Sequence, residues 1–96
     1  MPGSAPELVP ADFYPRLIAA LVDARSAAAL RQQDVADRLG RPQAFVSRYE
    51  TLERRLDVAD YPAVARAIGV DPVVLLARVL EGEAAGSATI SGPPRA

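Results

Sequence analysis

Arginines and carboxylates are the side chains through which this chain could do chemistry, because its sequence lacks the other usual groups. Its 96 residues include no Cys and no His, and all eleven basic residues are Arg. Thiolate metal sites, most imidazole-based metal and acid–base chemistry, and lysine nucleophiles are therefore excluded. Paired carboxylates remain, but no pair supports a catalytic assignment. The sequence therefore predicts neither an enzyme nor a bound cofactor or metal.

The charges are unevenly distributed along the chain. Residues 30–56 hold six arginines and four acidic residues, whereas the rest of the chain holds five arginines and eight acidic residues. The net charge of -1 indicates no partner by itself, but the local excess of arginine indicates a surface that could meet phosphate. Because this excess is modest, we expect the non-specific binding of a nucleic acid to be weak and the binding to be markedly sensitive to salt.

The folded part of the chain is predicted to be one domain of about residues 13–81. Residues 1–12 contain three prolines, and residues 82–96 are mostly Gly, Ser, Ala and Pro, so we expect both ends to be disordered tails. The longest apolar run, Leu17–Val22, is far shorter than the ~20 residues of a membrane span, and no signal peptide is recognised. We therefore expect a cytoplasmic protein without a membrane partner.

Apolar residues recur at helical spacing along this domain, so we predict an all-α fold. A first helix is expected over residues 13–28 and a fourth over residues 61–69. The fifth helix has the clearest start, because Asp71 can cap it and Pro72 suits its first position, and Gly82 ends it. No internal repeat and no alternating strand pattern of useful length is found.

Two short helices in the middle of the domain are separated by a tight turn. The first is predicted over Gln32–Leu39 and is stopped by Gly40, which suits a left-handed residue after a last helical turn. Pro42 opens the next helix, which is expected to end at Tyr49 or Thr51. Such a pair has the geometry of a helix-turn-helix, whose second helix can enter the DNA major groove. Spacing alone fits a plain helical domain equally well.

The residues themselves resemble a known family. The stretches Leu30–Gly40, Arg41–Glu50, Glu53–Asp57 and Ala65–Asp71 are similar to the Cro and phage-repressor type helix-turn-helix proteins of the XRE family. The resemblance extends over about residues 17–76. It implies a lambda-repressor-like fold, which is a compact bundle of four or five helices. It also implies binding to operator DNA, usually as a homodimer, and repression or modulation of transcription.

The resemblance implies roles for individual residues as well. Residues 43–51 would form the recognition helix, and its base-reading positions correspond to Gln43, Ala44, Phe45, Ser47 and Arg48. Gln can pair at two points with adenine and Arg with guanine, while Phe45 is expected against a thymine methyl, in the core or in a protein contact. The phosphate-contacting positions correspond to Gln32, Arg41, Arg54 and Arg55. Arg25 and Glu50 match an ion pair between the first helix and the recognition helix.

Some positions depart from the family pattern. Arg31 stands where Ser or Thr usually caps the second helix, a change expected to weaken that helix end by about 0.5 to 2 kcal/mol. Ala29 replaces a frequent Gly before the same helix. Thr51 and Leu52 stand where the family has a Gly-containing turn. Because a leucine with positive φ is strained, we expect this turn to be rebuilt.

Two functions follow from this interpretation. The first is a sequence-specific regulator of transcription, a repressor, that binds double-stranded operator DNA at the nucleoid. It is expected to be a homodimer, because the fifth helix is more apolar than one face of a terminal helix requires. The alternative is a protein-binding module, such as an antitoxin or accessory subunit. Such a module would hold a partner protein through the bundle or through the C-terminal tail.

Overall fold

The computed structural model describes residues 10–82, and these residues form five α-helices. The helices in chain order are α1 Phe13–Ala27, α2 Gln32–Leu39, α3 Gln43–Glu50, α4 Tyr61–Ile68 and α5 Pro72–Leu80. No strand occurs among the described residues, in agreement with the predicted all-α fold. No helix in this part of the chain is long and apolar enough to cross a membrane. The predicted tails are residues 1–12 and 82–96. Of these, only residues 10–12 and Gly82 belong to the described part of the chain, and the rest lie outside it.

The first helix, α1, is the longest and supplies one wall of the core. A turn precedes it, in which the backbone N–H of Phe13 donates to the carbonyl of Pro10 at 3.0 Å. Asp12, which the sequence placed in the tail, stands at the cap position of α1, and its carboxylate pairs with Arg16 at 3.3 Å. The face of α1 that turns inward carries Leu17, Ile18, Ala20 and Leu21.

The turn between α2 and α3 has the predicted chemistry. Gly40 has a φ of +69°, in the left-handed region where glycine carries no Cβ penalty. The backbone N–H of Arg41 donates to the carbonyl of Ala36 at 3.0 Å, which closes α2 in the Schellman pattern. Pro42 is extended and directly precedes α3. The inward faces of the two helices carry the fully buried residues Val35, Ala36, Val46 and Tyr49.

Local capping also sets the start of α5. The carboxylate of Asp71 accepts hydrogen bonds from the backbone N–H groups of Val73 and Val74, at 2.8 and 3.2 Å. The hydroxyl of Tyr61, at the start of α4, donates to the carbonyl of Pro72 at 2.6 Å and ties the two helices together. The predicted starts of α4 and α5 are therefore both confirmed.

All five helices contribute to one apolar core. The largest fully buried side chains are Tyr49, Leu21, Val35, Val46 and Val64. The Tyr49 hydroxyl is buried without a hydrogen-bond partner among the described residues. Burial raises the pKa of the Tyr49 phenol far above its usual range, so the group stays neutral.

Two residues other than glycine adopt a positive φ, namely Ala29 at +60° and Leu52 at +67°. The expectation that the turn after α3 would be rebuilt to avoid a left-handed leucine was therefore wrong. The chain keeps this turn because the backbone N–H groups of Glu53 and Arg54 both donate to the carbonyl of Arg48, at 2.9 and 3.1 Å. A left-handed conformation costs a residue with a Cβ about 1 to 2 kcal/mol.

Candidate nucleic-acid interface

The face of α3 that turns away from the core carries four of the five residues predicted to read bases. Gln43 and Arg48 are exposed, while Ala44 and Ser47 are half-buried. Gln43 and Ser47 are one helical turn apart and therefore lie on the same face. No ion pair among the described residues engages Arg48. This face thus offers an amide, a hydroxyl and a guanidinium, which are groups that pair with base edges.

Phe45 does not belong to that exposed face. It is only 6% exposed, and its ring packs edge-on against Tyr49 with the centroids 5.7 Å apart. It lies beside Leu39 and Val64 around a small cavity of about 60 Å³. The expectation that Phe45 is exposed is therefore wrong, and its alternative place in the core is correct. The physical reason is that Leu39 of α2 and Val64 of α4 both lie beside this flank of α3.

Two arginines stack on the Phe45 ring. The Cζ atoms of Arg41 and Arg54 lie 4.4 and 5.1 Å from its centroid, a geometry in which the cation is attracted to the ring face. Arg41 also donates through Nη2 to the carboxylate of Asp60 at 3.1 Å. The structure therefore places both arginines, which were predicted to contact phosphate, beside the first turn of α3. This role of Asp60 could not be predicted from the sequence, because Asp60 and Arg41 are 19 positions apart.

Arg55 points to a different element from its neighbour Arg54. Its Cζ lies 4.5 Å from the centroid of the Tyr14 ring on α1. The Tyr14 hydroxyl in turn accepts a hydrogen bond from the backbone N–H of Leu56 at 2.7 Å. The two adjacent arginines are therefore separated, one beside α3 and one beside α1. Tyr14 was missed at the sequence level, since nothing local links it to a residue 41 positions later.

Arg25 and Glu50 form an ion pair between α1 and the end of α3. The Nε and Nη2 atoms of Arg25 donate to the two carboxylate oxygens of Glu50, at 2.7 and 3.0 Å. The side chains are only 15% and 6% exposed. Arg25 also donates through Nη1 to the carbonyl of Leu30 at 2.8 Å, and so holds the α1–α2 turn. The hydrogen bond to Glu50 raises the pKa of the Arg25 guanidinium above its ordinary value.

Gln32 connects this ion pair to the exposed end of α3. It is half-buried at the first position of α2, and its amide Nε2 donates to Glu50 at 2.8 Å. Its Oε1 accepts a hydrogen bond from Nε2 of Gln43 at 2.5 Å. The sequence predicted both glutamines at the interface, one toward phosphate and one toward a base. The hydrogen bond between them and the contact with Glu50 were not predicted.

The start of α2 lacks a conventional cap, as the sequence indicated. Arg31 has no acceptor on its side chain, so it cannot accept from the free N–H groups of the first turn. Instead the Asp34 carboxylate accepts from the Arg31 backbone N–H at 2.8 Å and from its guanidinium at 2.8 and 3.1 Å. These hydrogen bonds lower the pKa of the Asp34 carboxyl to about 2. The bond from the Arg31 guanidinium has the larger effect, and the bond from the Arg31 backbone adds to it.

The five helices, the Gly40 turn and the polar outer face of α3 define a helix-turn-helix protein. A family model described as a helix-turn-helix domain matches residues 16–80. A solved structure of an XRE-family like protein from Pseudomonas syringae pv. tomato str. DC3000 is 49% identical, with a TM-score of 0.69, and the match covers 70% of this chain and 82% of that chain. No curated protein sequence matches the chain. The chain therefore belongs to the helix-turn-helix family in its XRE type, a class of DNA-binding regulators.

Proposed function

We propose that the protein is a sequence-specific DNA-binding repressor that reads the major groove with α3. The observation that carries the proposal is the outer face of α3, where Gln43, Ser47 and Arg48 present hydrogen-bonding groups to solvent. A bidentate contact suits Gln43 with adenine and Arg48 with guanine. The small side chain of Ala44, between them, allows a thymine methyl to approach.

Four residues around α3 are proposed to contact phosphates at the edges of the groove, and these are Gln32, Arg41, Arg54 and Arg55. The three arginines are exposed, and each stacks on an aromatic ring. Stacking restricts the guanidinium plane but leaves its N–H edges available for a phosphate. Asp60 offsets part of the charge of Arg41, so we expect this arginine to contribute least of the three.

The repressor is proposed to act at the nucleoid as a homodimer on a palindromic operator, with residues 13–81 as its DNA-binding domain. Val73 is 73% exposed, and Val74 and Leu80 are each 49% exposed on α5. Because Val73 and Leu80 are two turns apart, they lie on the same face of α5 and could pair with a second copy. A two-fold dimer would place two α3 helices roughly 34 Å apart. If sedimentation shows a strict monomer, both for the free protein and for the protein on duplex DNA, the proposed dimer is refuted.

Selection from a random duplex pool with the full chain tests the proposed function. The expected result is a short palindromic consensus, bound with an affinity that falls steeply with salt on a log–log plot. Arg66→Ala, which removes an exposed arginine from α4, serves as a control for the loss of one charge. Arg48→Ala should change the consensus, whereas Arg66→Ala should not. A pool that enriches no sequence would overturn the proposal.

A protein-binding module, such as an antitoxin or accessory subunit, is the second candidate function. It is favoured by an apolar depression of about 220 Å³ lined by Phe13, Tyr14, Leu17, Leu56, Tyr61 and Leu76. Val58 lies at its rim and is 82% exposed. An apolar protein interface would bind with little salt dependence, in contrast to phosphate contacts. The salt dependence of each complex therefore separates the two functions.

A further inference from the structure

Four side chains form a continuous hydrogen-bonded series from α1 to the exposed end of α3. Arg25 donates twice to the Glu50 carboxylate, at 2.7 and 3.0 Å. Gln32 donates through Nε2 to Oε1 of Glu50 at 2.8 Å. Oε1 of Gln32 accepts from Nε2 of Gln43 at 2.5 Å. The series therefore begins at an ion pair beside the core and ends at a residue proposed to read a base.

The ion pair determines the direction in which each amide of the series points. A carboxylate held by a guanidinium can only accept hydrogen bonds. Glu50 therefore requires the NH₂ group of Gln32, and this turns the Gln32 carbonyl oxygen toward Gln43. That oxygen in turn requires the NH₂ group of Gln43. The carbonyl oxygen and the remaining N–H of Gln43 are then available to DNA. The hydrogen bond to Gln32 determines which of these two groups lies on which side.

We propose that Glu50 is a positioning residue for base readout, which acts through Gln32 to set the donor and acceptor order that Gln43 presents to DNA. The inference rests on the proposed function. Two-point pairing of a glutamine with adenine needs its oxygen opposite N6 and its nitrogen opposite N7. A reversed Gln43 amide presents the opposite order and cannot form both bonds in the same pose.

Glu50→Gln is the variant that reverses the series while keeping its shape. In the orientation that keeps the shorter hydrogen bond from Nε of Arg25, at 2.7 Å, the new amide offers its carbonyl oxygen to Arg25. Its NH₂ group then takes the place of Oε1, gives up the bond from Nη2 of Arg25 and faces Gln32. Gln32 would then turn its oxygen toward position 50 and its NH₂ group toward α3. The Gln43 amide reverses as a consequence, although no atom near DNA has been changed.

Asp23→Asn is the matched control, because it also converts a carboxylate into an amide and removes one negative charge. Asp23 is exposed on α1 and lines the same surface depression as Glu50. Wild type and both variants are taken through the same random duplex selection. For Glu50→Gln we expect a drop of about tenfold or more in the preference for one base pair in each half-site. The other positions of the consensus, and the whole consensus of Asp23→Asn, should stay as in wild type.

A second readout does not need DNA. In the free protein, the side-chain amide signals of Gln32 and Gln43 in ¹⁵N–¹H spectra should both move in Glu50→Gln and stay in place in Asp23→Asn. If Glu50→Gln does not fold, Gln32→Met interrupts the series without touching the ion pair. It should lose the preference at the same base pair, in addition to any uniform weakening from a lost phosphate contact.

Three results would overturn the inference, and they can be told apart. Variants that fold and weaken binding to every duplex by the same factor, with an unchanged consensus, would show that Glu50 is only structural. A wild-type protein that enriches no sequence would overturn the proposed function itself and the inference with it. Unmoved Gln43 amide signals in Glu50→Gln would also contradict the reversal.

Discussion

The guanidinium of Arg41 lies 4.4 Å from the centroid of the Phe45 ring, which is itself only 6% exposed. A residue of the core therefore supports, on its outer face, an arginine proposed to contact phosphate. Because Arg54 stacks on the same ring at 5.1 Å, the packing of one side chain orients two cations beside α3. Changes to Phe45 should consequently affect stability and binding together.

Replacing Phe45 by Leu should lower the free energy of unfolding by about 1 to 3 kcal/mol. The smaller side chain leaves space in the core and loses the edge-on contact with Tyr49 and the two cation–π contacts. Binding to a cognate and to a scrambled duplex should weaken by the same factor, because we expect the buried ring to support the two arginines and not to contact a base. Urea melts and binding titrations measure both effects. A loss confined to the cognate duplex would mean that Phe45 contacts a base after all.

Removing either member of the Arg25–Glu50 pair should be costly, because both side chains are largely removed from water. Glu50→Ala leaves the guanidinium without its two strongest acceptors and should cost about 3 kcal/mol or more. A double-mutant cycle with Arg25→Ala isolates the coupling between the two charges. If urea melts show that Glu50→Ala lowers the free energy of unfolding by less than about 0.5 kcal/mol, the pair behaves as an exposed one.

The left-handed turns predict two stabilising substitutions. Ala29→Gly and Leu52→Gly should each raise the free energy of unfolding by about 0.5 to 1 kcal/mol, since glycine adopts positive φ without a Cβ penalty. Ala28→Gly is the matched control, because Ala28 has a φ of -84° and should only lose helix-end stability. Thermal melts compare the three variants. Destabilisation by all three would contradict the assignment of strain to positions 29 and 52.

Arg48 and Arg55 should have different effects on DNA binding. Arg48→Ala should cost about 1 to 3 kcal/mol on the preferred duplex while leaving non-specific binding nearly intact. Arg55→Ala should weaken all duplexes alike and reduce the slope of log affinity against log salt by roughly one unit. Titrations on cognate and scrambled duplexes at several salt concentrations test both. Equal weakening of the two duplexes by Arg48→Ala would place the base contact elsewhere.

The Asp34 carboxyl should make the stability of α2 depend on pH in acid. Its pKa is lowered from 3.8 to about 2 by the Arg31 guanidinium and backbone, so its contribution is present above pH 4 and is lost as the pH falls toward 2. Carboxyl ¹³C shifts should report a midpoint near 2 in wild type and a higher one in Arg31→Ala. An unchanged midpoint in that variant would show that Arg31 is not the cause.

Local sequence chemistry was sufficient to predict the helices of this domain. Gly40 suits a left-handed end and Pro42 a helix start, while Asp71 with Pro72 gives both a cap and a first residue. These signals depend on groups within one turn of each other, so they do not need the rest of the fold. The residues of these helices, more than their spacing, carry the resemblance to the XRE family, and the family model and the solved relative confirm it.

The tertiary structure decided which side chains are available at the interface. Phe45 lies at the edge of the inward face of α3, beside residues of α2 and α4 whose positions helical periodicity cannot predict. Arg54 and Arg55 are adjacent in sequence, but Phe45 and Tyr14 attract them to different helices. The sequence therefore determined the helices, their ends and the family. The partners of the polar side chains depend on contacts between residues far apart in the chain, and only the packed fold brings those together.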